Sequence, residues 1–254
     1  MRQSSNYVNE DSTPQNAYNN AINQAQEIID QTTNPTMSHE EIEHAINKIN
    51  ETVTALDGES KLQQSKDNAN HLIDSLNHLN TPQQNAEKTL INKAKTRGKV
   101  AEQTQIAHEL NDAMGNLRNS IQDQVILRQE NKYINASYDK QRSYNNAVRD
   151  AENIINEHKP TLNKDTINQL SHTVNQAKDA LNGVELLNTD KQTAQQSIPA
   201  FNHLNQAQQN AFNEQINNTG TRDEVQQIVN QANMLNNAMK TLEDSIKDKD
   251  QIKQ

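Results

Sequence analysis

The sequence has no cysteine and no tryptophan, two phenylalanines and five tyrosines, and only five glycines and five prolines in 254 residues. The lack of cysteine excludes disulfides, thiolate metal sites and a cysteine nucleophile, while leaving the redox compartment open. Aromatic residues at 3% and hydrophobic residues at 31% are too sparse for one large core, whereas several thin cores built from aliphatic stripes need less apolar bulk. No apolar run approaches the roughly 18 residues of a membrane span. The opening Met1-Arg2-Gln3 runs straight into polar sequence and does not read as a signal peptide. Net charge is −9, spread along the chain without a basic block. Nucleic acid is therefore not an expected partner, because phosphate binding needs clustered Lys and Arg.

What is present in excess is amide. The chain holds 39 Asn and 29 Gln, 68 of its 254 residues. Such a composition can mark a disordered tract. Here the scarcity of Gly and Pro, and apolar residues falling at helical spacings, point instead to folded helices with amide-rich faces.

The chain repeats itself. Tyr18-Asn19-Asn20-Ala21 returns as Tyr144-Asn145-Asn146-Ala147, and Tyr7-Val8-Asn9 as Tyr133-Ile134-Asn135, both at an offset of 126. Ala55-Leu56-Asp57-Gly58 returns as Ala180-Leu181-Asn182-Gly183 at 125, as do Asn77-His78-Leu79-Asn80 and Gln83-Gln84-Asn85-Ala86. Residues 66–123 and 191–248 align without gaps at 25 identities in 58 positions, so the duplication is secure.

Each copy has two unlike halves. The first opens with a helix whose stripe is Tyr18, Ala21, Ile22, Ala25, Ile28 and Ile29, mirrored by Tyr144, Ala147, Val148, Ala151, Ile154 and Ile155. Pro35 and Pro160 end these helices. The next helix begins at Ser38 with Glu41 as a capping box, carries Ile42, Ala45, Ile46, Ile49, Val53 and Leu56, and is expected to stop at Gly58 as a C′ residue. Its counterpart carries Ile167, Leu170, Val174, Ala177 and Leu181 and ends at Gly183. The second half has three helical segments, the middle one starting at Asn80-Thr81-Pro82. The third carries Val100, Ala107, Leu110, Met114, Leu117 and Ile121 in one copy. The other carries Val225, Ile228, Ala232, Leu235, Met239, Leu242 and Ile246, close to a coiled-coil seam. Pro199 stands where the first copy has Asp74 and should kink or delay its helix. Residues 99–129 lack a breaker apart from Gly115, which predicts one long helix shared between the copies. The expected fold is all-α: tandem three-helix bundles joined by long shared helices into an elongated rod.

Tyr144-Asn145-Asn146-Ala147-Val148 with the Ala180-Leu181-Asn182-Gly183 stop resembles a FIVAR domain. Leu90-Ile91-Asn92-Lys93-Ala94-Lys95-Thr96 followed by Val100 resembles a GA module. The alternation resembles the staphylococcal Ebh family of giant extracellular-matrix-binding surface proteins, over nearly the whole chain. The implied modules are FIVAR-like 1–62, GA-like 63–128, FIVAR-like 129–187 and GA-like 188–254. The resemblance implies a bacterial cell-surface, cell-wall location and a host-matrix partner such as fibronectin. GA modules of other surface proteins bind serum albumin through the second helix and its flanking loops, using exposed apolar and aromatic residues. Here that stretch is Thr81-Pro82-Gln83-Gln84-Asn85-Ala86 without an aromatic, and in the second copy Asn218-Thr219-Gly220 replaces the Lys-Ala-Lys segment. Both departures argue against albumin.

No catalytic, cofactor or metal site is expected. His39-Glu40-Glu41-Ile42-Glu43-His44 fails zincin spacing, since position 43 is Glu and His44 falls at i+5. His71 and His78 are seven apart, yet the second copy keeps only His203. Met114 and Met239 sit on the core stripe. Asn50, Asn135 and Asn217 head glycosylation triplets, which a bacterial source would make irrelevant. No glycine elbow or phosphate loop exists. The sequence reads as a monomeric, non-catalytic repeat segment acting as a stiff spacer and low-affinity multivalent matrix binder.

Overall fold

The computed structural model describes residues 1–252. Among the described residues all regular structure is helical, with no strand. The chain divides into two compact units. One comprises Met1–Gly115 with Ile154–Ile167; the other comprises Asn116–Asn153 with the residues from Asn168 onward.

Unit 1 begins with a single turn, α1 (Ser5–Val8), then the antiparallel pair α2 (Ser12–Ile29) and α3 (His39–Thr54). Three helices follow, α4 (Gly58–Ser75), α5 (Thr81–Lys93) and α6 (Arg97–Ile121), the last running past the unit's edge at Gly115. Local chemistry fixes the starts. Ser38 accepts from the Glu41 amide at 3.3 Å, but the reciprocal half of the box does not form, because the Glu41 carboxylate takes the Thr36 hydroxyl instead. The full reciprocal box is at α5, where Asn80 Oδ1 accepts from the Gln83 amide and Gln83 Oε1 from the Asn80 amide, at 2.9 and 3.0 Å. The core is aliphatic: Leu62, Ile73, Leu76, Leu79, Ile91, Val100, Leu110 and Met114 are buried, the last three on the stripe expected of the third segment. Full burial of each such side chain stabilises by about 1.5–3 kcal/mol.

Unit 2 holds the end of α6, two short turns α7 (Gln124–Leu127) and α8 (Asn131–Ile134), and parts of α9 (Tyr138–Ile155) and α10 (Lys164–Asp179). It also holds α11 (Gly183–Ser197), a 3-10 turn over Ile198–Ala200, α12 (Gln206–Asn218) and α13 (Arg222–Ile252). Leu187, Ile198, Leu204, Phe212, Ile216, Val225 and Ala232 form one cluster, with Leu235 and Met239 packed at its margin. Asn205 and Gln208 repeat the capping box of α5.

Three expectations change. The helix predicted through 129 stops at Ile121. Ser120 Oγ takes the Leu117 carbonyl at 2.7 Å, and the chain turns so that Leu127 is buried. Pro199 ends α11 at Ser197 rather than kinking it, three residues short of where α4 ends in the first copy. Gly58 and Gly183 are not left-handed helix stops, since neither has a positive φ. They are the first residues of α4 and α11, and they are needed for close approach. A Cβ on Gly58 would lie 2.4 Å from the Asn6 carbonyl oxygen, and one on Gly183 would lie 2.2 Å from that of Asn131. The lead-in turns α1 and α8 therefore press backbone to backbone on α4 and α11.

Candidate functional site

The lead-in of each repeat acts as a clasp. Tyr7 and Tyr18 meet edge to face at 5.8 Å, and Tyr133 and Tyr144 at 6.1 Å. Asn19 Nδ2 donates to the Tyr7 hydroxyl and Asn145 Nδ2 to that of Tyr133, each at 2.8 Å. Just beyond sits a buried amide. Asn9 Oδ1 accepts from the Arg97 amide at 2.9 Å while its Nδ2 donates to the Lys95 carbonyl at 3.2 Å. Asn135 does the same with Arg222 and Gly220, at 2.9 and 3.0 Å. Each asparagine thus caps the start of a third helix some 87 residues downstream, satisfying a donor that helix geometry leaves orphaned. The triplet headed by Asn135 is accordingly no exposed acceptor: its side chain is buried and engaged at both ends. In the sequence Tyr7-Val8-Asn9 stands out only as a repeat marker. Its recurrence was the signal, but nothing local names the distant partner.

In the first repeat Glu10 adds charge to the clasp. Its buried carboxylate accepts from the Asp11 and Asp57 amides at 2.8 and 2.6 Å and from the Lys61 ammonium. Burial pushes its pKa up, but bonds from Lys61 and the two amides outweigh that and hold it at about 2. The same carboxylate, with Asp57 and Asp11, pushes Lys61 up. Asp11 also pairs with Arg97 at 2.7 Å, and Arg97 above all lowers it.

The second GA-like helix of repeat one is not a free surface. Gln83 and Glu87, both on α5, are fully buried. Gln83 Nε2 donates to the Thr161 carbonyl at 2.9 Å, and Asn80 Nδ2 to that of Ile154 at 3.1 Å. Burial pushes the Glu87 carboxyl up, with Gln103 Nε2 at 2.5 Å as its counterweight. The loop after α9 therefore occupies the 80–83 end of α5. In repeat two the counterpart of Asn80, Asn205, is exposed and that of Gln83, Gln208, is half-buried.

The hairpins differ in the opposite sense. Within unit 2 the end of α6 lies on α10: Ser171 Oγ donates to the Asn116 carbonyl at 3.2 Å and Lys178 pairs with Asp123 at 2.7 Å. Leu117 and Ile121 are 0% and 8% exposed. Their counterparts Leu242 and Ile246 on α13 are each 54% exposed. Ile167 on α10 is fully buried, while its counterpart Ile42 on α3 is 42% exposed and Ile46 52%. Between α2 and α3 runs an open groove of about 670 Å³, lined by Ala21, Gln24, Ile28, His44, Ala45 and Lys48.

The histidines singled out by motif do not converge. His39 Nε2 lies 3.2 Å from Glu43 Oε1 at the exposed start of α3, whereas His44 lines the groove. The His78 ring lies over Gly115, where an added Cβ would be 3.0 Å from Cδ2. His203 meets Glu243 at 2.9 Å. Among the described residues no three His, Asp or Glu side chains gather as a metal would require, and no helix is long and apolar enough to cross a membrane. Met114 is buried, and Met239 packs at the margin of the unit 2 cluster.

Comparison with known proteins explains the alternation. The GA module family matches residues 59–113 and 184–238, and the FIVAR domain family matches 2–57 and 113–182. The chain is 41% identical over 249 residues to the extracellular matrix-binding protein ebh of Staphylococcus aureus strain MRSA252, and equally to EbhA of strain Mu3. Those alignments cover 98% of this chain but only 2% and 4% of the relatives, so the chain spans a small fraction of their length. A crystal structure of the 756–1003 domain of EbhA from S. aureus superposes with a TM-score of 0.84 at 26% identity, covering 92% of this chain and 93% of that one. With non-catalytic FIVAR and GA modules alternating along nearly its whole length, the chain belongs to the ebh family of extracellular matrix-binding repeat proteins.

Proposed function

We propose that this chain is a segment of a bacterial cell-wall adhesin that serves as a stiff spacer and binds a host matrix protein of the fibronectin type weakly and many times over. The observation that carries this reading is the 41% identity, across 98% of the chain, to proteins named for matrix binding. The stretches 1–62, 63–128, 129–187 and 188–254 are the modules of this reading, two FIVAR-like and two GA-like. Supporting low affinity, the exposed helix faces are largely amide and lack the clustered aromatic anchors on which tight binding depends. Supporting the spacer, the same pair of helical modules recurs at a period of about 125 residues along the chain.

Surface plasmon resonance of this fragment and of multi-repeat versions over immobilised fibronectin tests the adhesive part. Weak binding that strengthens steeply with repeat number is expected, whereas nanomolar, saturable binding by the fragment alone overturns it. Small-angle scattering tests the spacer. A maximum dimension above about 100 Å supports it, since helix rise sets such lengths, and a compact particle overturns it.

A second reading is favoured by one observation: the cap residue of α12, Asn205, is exposed, whereas that of α5, Asn80, is half-buried. That helix could present a GA-type surface to a serum protein such as albumin. Pull-down from serum, with repeat one and repeat two presented separately, distinguishes the two readings.

A further inference from the structure

Asn182 is the only asparagine of the chain that a glycine follows, and the pair sits inside the clasp of repeat two. An asparagine so placed can lose its amide without an enzyme. The Gly183 backbone nitrogen gives up its proton and attacks Asn182 Cγ; the Cγ–Nδ2 bond breaks, and Nδ2 leaves with that proton as ammonia. Water then opens the cyclic imide at either carbonyl, giving aspartate or isoaspartate at 182. Glycine favours the attack because no Cβ crowds its nitrogen or restricts its turn toward the side chain.

The closed clasp forbids that attack. Asn182 has φ −113° and ψ 20°, which carries the Gly183 nitrogen to the opposite side of Cα from Cβ, whereas ring closure needs both on one side. Two contacts hold this arrangement, all of their residues within unit 2. Asn182 Oδ1 accepts from the Ser137 amide at 3.1 Å. Gly183 is buried against the Asn131 and Lys132 carbonyls and the Ala136 nitrogen, so closely that a Cβ would lie within 2.7 Å of all three.

We propose that Asn182 is a spontaneous modification site gated by the clasp: it deamidates only while the turn α8 is lifted off α11, and the isoaspartyl product then keeps α8 off. Isoaspartate routes the main chain through the side chain and so adds one methylene ahead of Gly183. Leu181 is buried on one side of the pair and Leu187 on the other, so the added atom displaces Gly183 from its seat against α8. The aspartyl product is tolerated. Repeat one already holds Asp57 before Gly58 at nearly the same angles, φ −121° and ψ 23°. Lys61 pairs with Asp57 at 2.9 Å, and where Leu186 replaces that lysine the Ser137 amide still faces position 182. Each opening of the clasp therefore risks a one-way chemical mark, and repeat two alone can carry it.

Peptide mapping by mass spectrometry of the whole chain, incubated in mildly alkaline buffer with and without guanidinium chloride, tests the gate. In denaturant Asn182 should lose its amide ahead of every other asparagine. In the folded chain the loss should be at least about tenfold slower, because reaction waits on local opening. Asn135→Ala loosens the lead-in without touching the reacting pair, and should speed the folded reaction about tenfold while leaving the rate in denaturant unchanged. Tyr133→Phe takes its place if helicity is lost. Amide hydrogen exchange on the separated products tests the latch: α8 and the first turn of α11 should be protected in the aspartyl chain and open in the isoaspartyl one. Equal rates with and without denaturant, or no loss at Asn182 in denaturant, overturn the proposal. So does a loosened lead-in that exchanges faster without faster deamidation, or an isoaspartyl chain whose clasp stays protected.

Discussion

The two clasps share a backbone and differ in electrostatics. In repeat one, Glu10 ties together Lys61 and the amides of Asp11 and Asp57; in repeat two, Ala136 and Leu186 stand in place of Glu10 and Lys61. There Asn182 Oδ1 accepts from the Ser137 amide at 3.1 Å, a neutral bond doing part of the same job. Arg222 still finds an acid in repeat two, but it is Asp190 at 2.6 Å on α11 rather than an aspartate of the lead-in. What the copies keep in common is steric and amide chemistry: the glycine, the tyrosine pair and the buried asparagine. The lesson is that the clasp needs shape and a satisfied helix start, and that the ionic cluster is an elaboration upon it.

The sharpest way to break the shared part is the glycine. Gly58→Ala and Gly183→Ala should each destabilise their own repeat by about 3 kcal/mol, since the new methyl meets backbone atoms that cannot swing aside. Amide hydrogen exchange resolved by residue would report each repeat separately. Equal losses support a common clasp; a silent alanine in either repeat removes it.

Next in size are Asn9→Ala and Asn135→Ala, each expected to cost about 2 kcal/mol, because a helix-start amide and a carbonyl are left buried without partners. The loss should appear at the N-terminal turns of α6 and α13 first, far from the mutation in sequence.

Acid should separate the copies. The folded pKa of Glu10, about 2, lies below its ordinary 4.5, so its contribution is complete above pH 4.5 and is lost as pH falls toward 2. Repeat one should therefore weaken in that window, and Glu10→Ala, costing about 1.5 kcal/mol at neutral pH, should flatten the dependence. Repeat two has no acid at the matching position. It retains Glu224, which the Gly220 and Thr221 amides lower, so its response should be smaller, not absent. An acid titration followed by NMR in both repeats measures the contrast.

The smallest effect expected is that of Tyr7→Phe and Tyr133→Phe, about 0.5–1 kcal/mol each, from one side-chain hydrogen bond. Thermal unfolding suffices to detect it.

Much of this was legible in the sequence because helices and duplications announce themselves by period. The stripes from Val100 to Ile121 and at Ile167 and Val174 were read off their spacing and are buried as read. Three features were not legible, each for a physical reason. Gly58 follows an Ala-Leu-Asp run and looks like a helix stop, but its role is set by backbone from Asn6 to Glu10, about fifty residues away. The break after Ile121 carries neither Gly nor Pro; it arises from a serine bonding back to its own helix and from where Leu127 must go. The covering of α5 at Asn80 and Gln83 by residues 154–161 is a tertiary event that no local pattern encodes.

The asparagine that reaches from the first helical turn of a repeat to the start of its last helix also bears on how such chains grow. Asn9 is separated from Arg97 by 88 residues and Asn135 from Arg222 by 87. A duplication that copied only one half would have left that amide, and the helix start it serves, without a counterpart in the newborn copy. The FIVAR half and the GA half are thus one structural unit, and a repeat that carried only one of them would lack a cap that the other supplies.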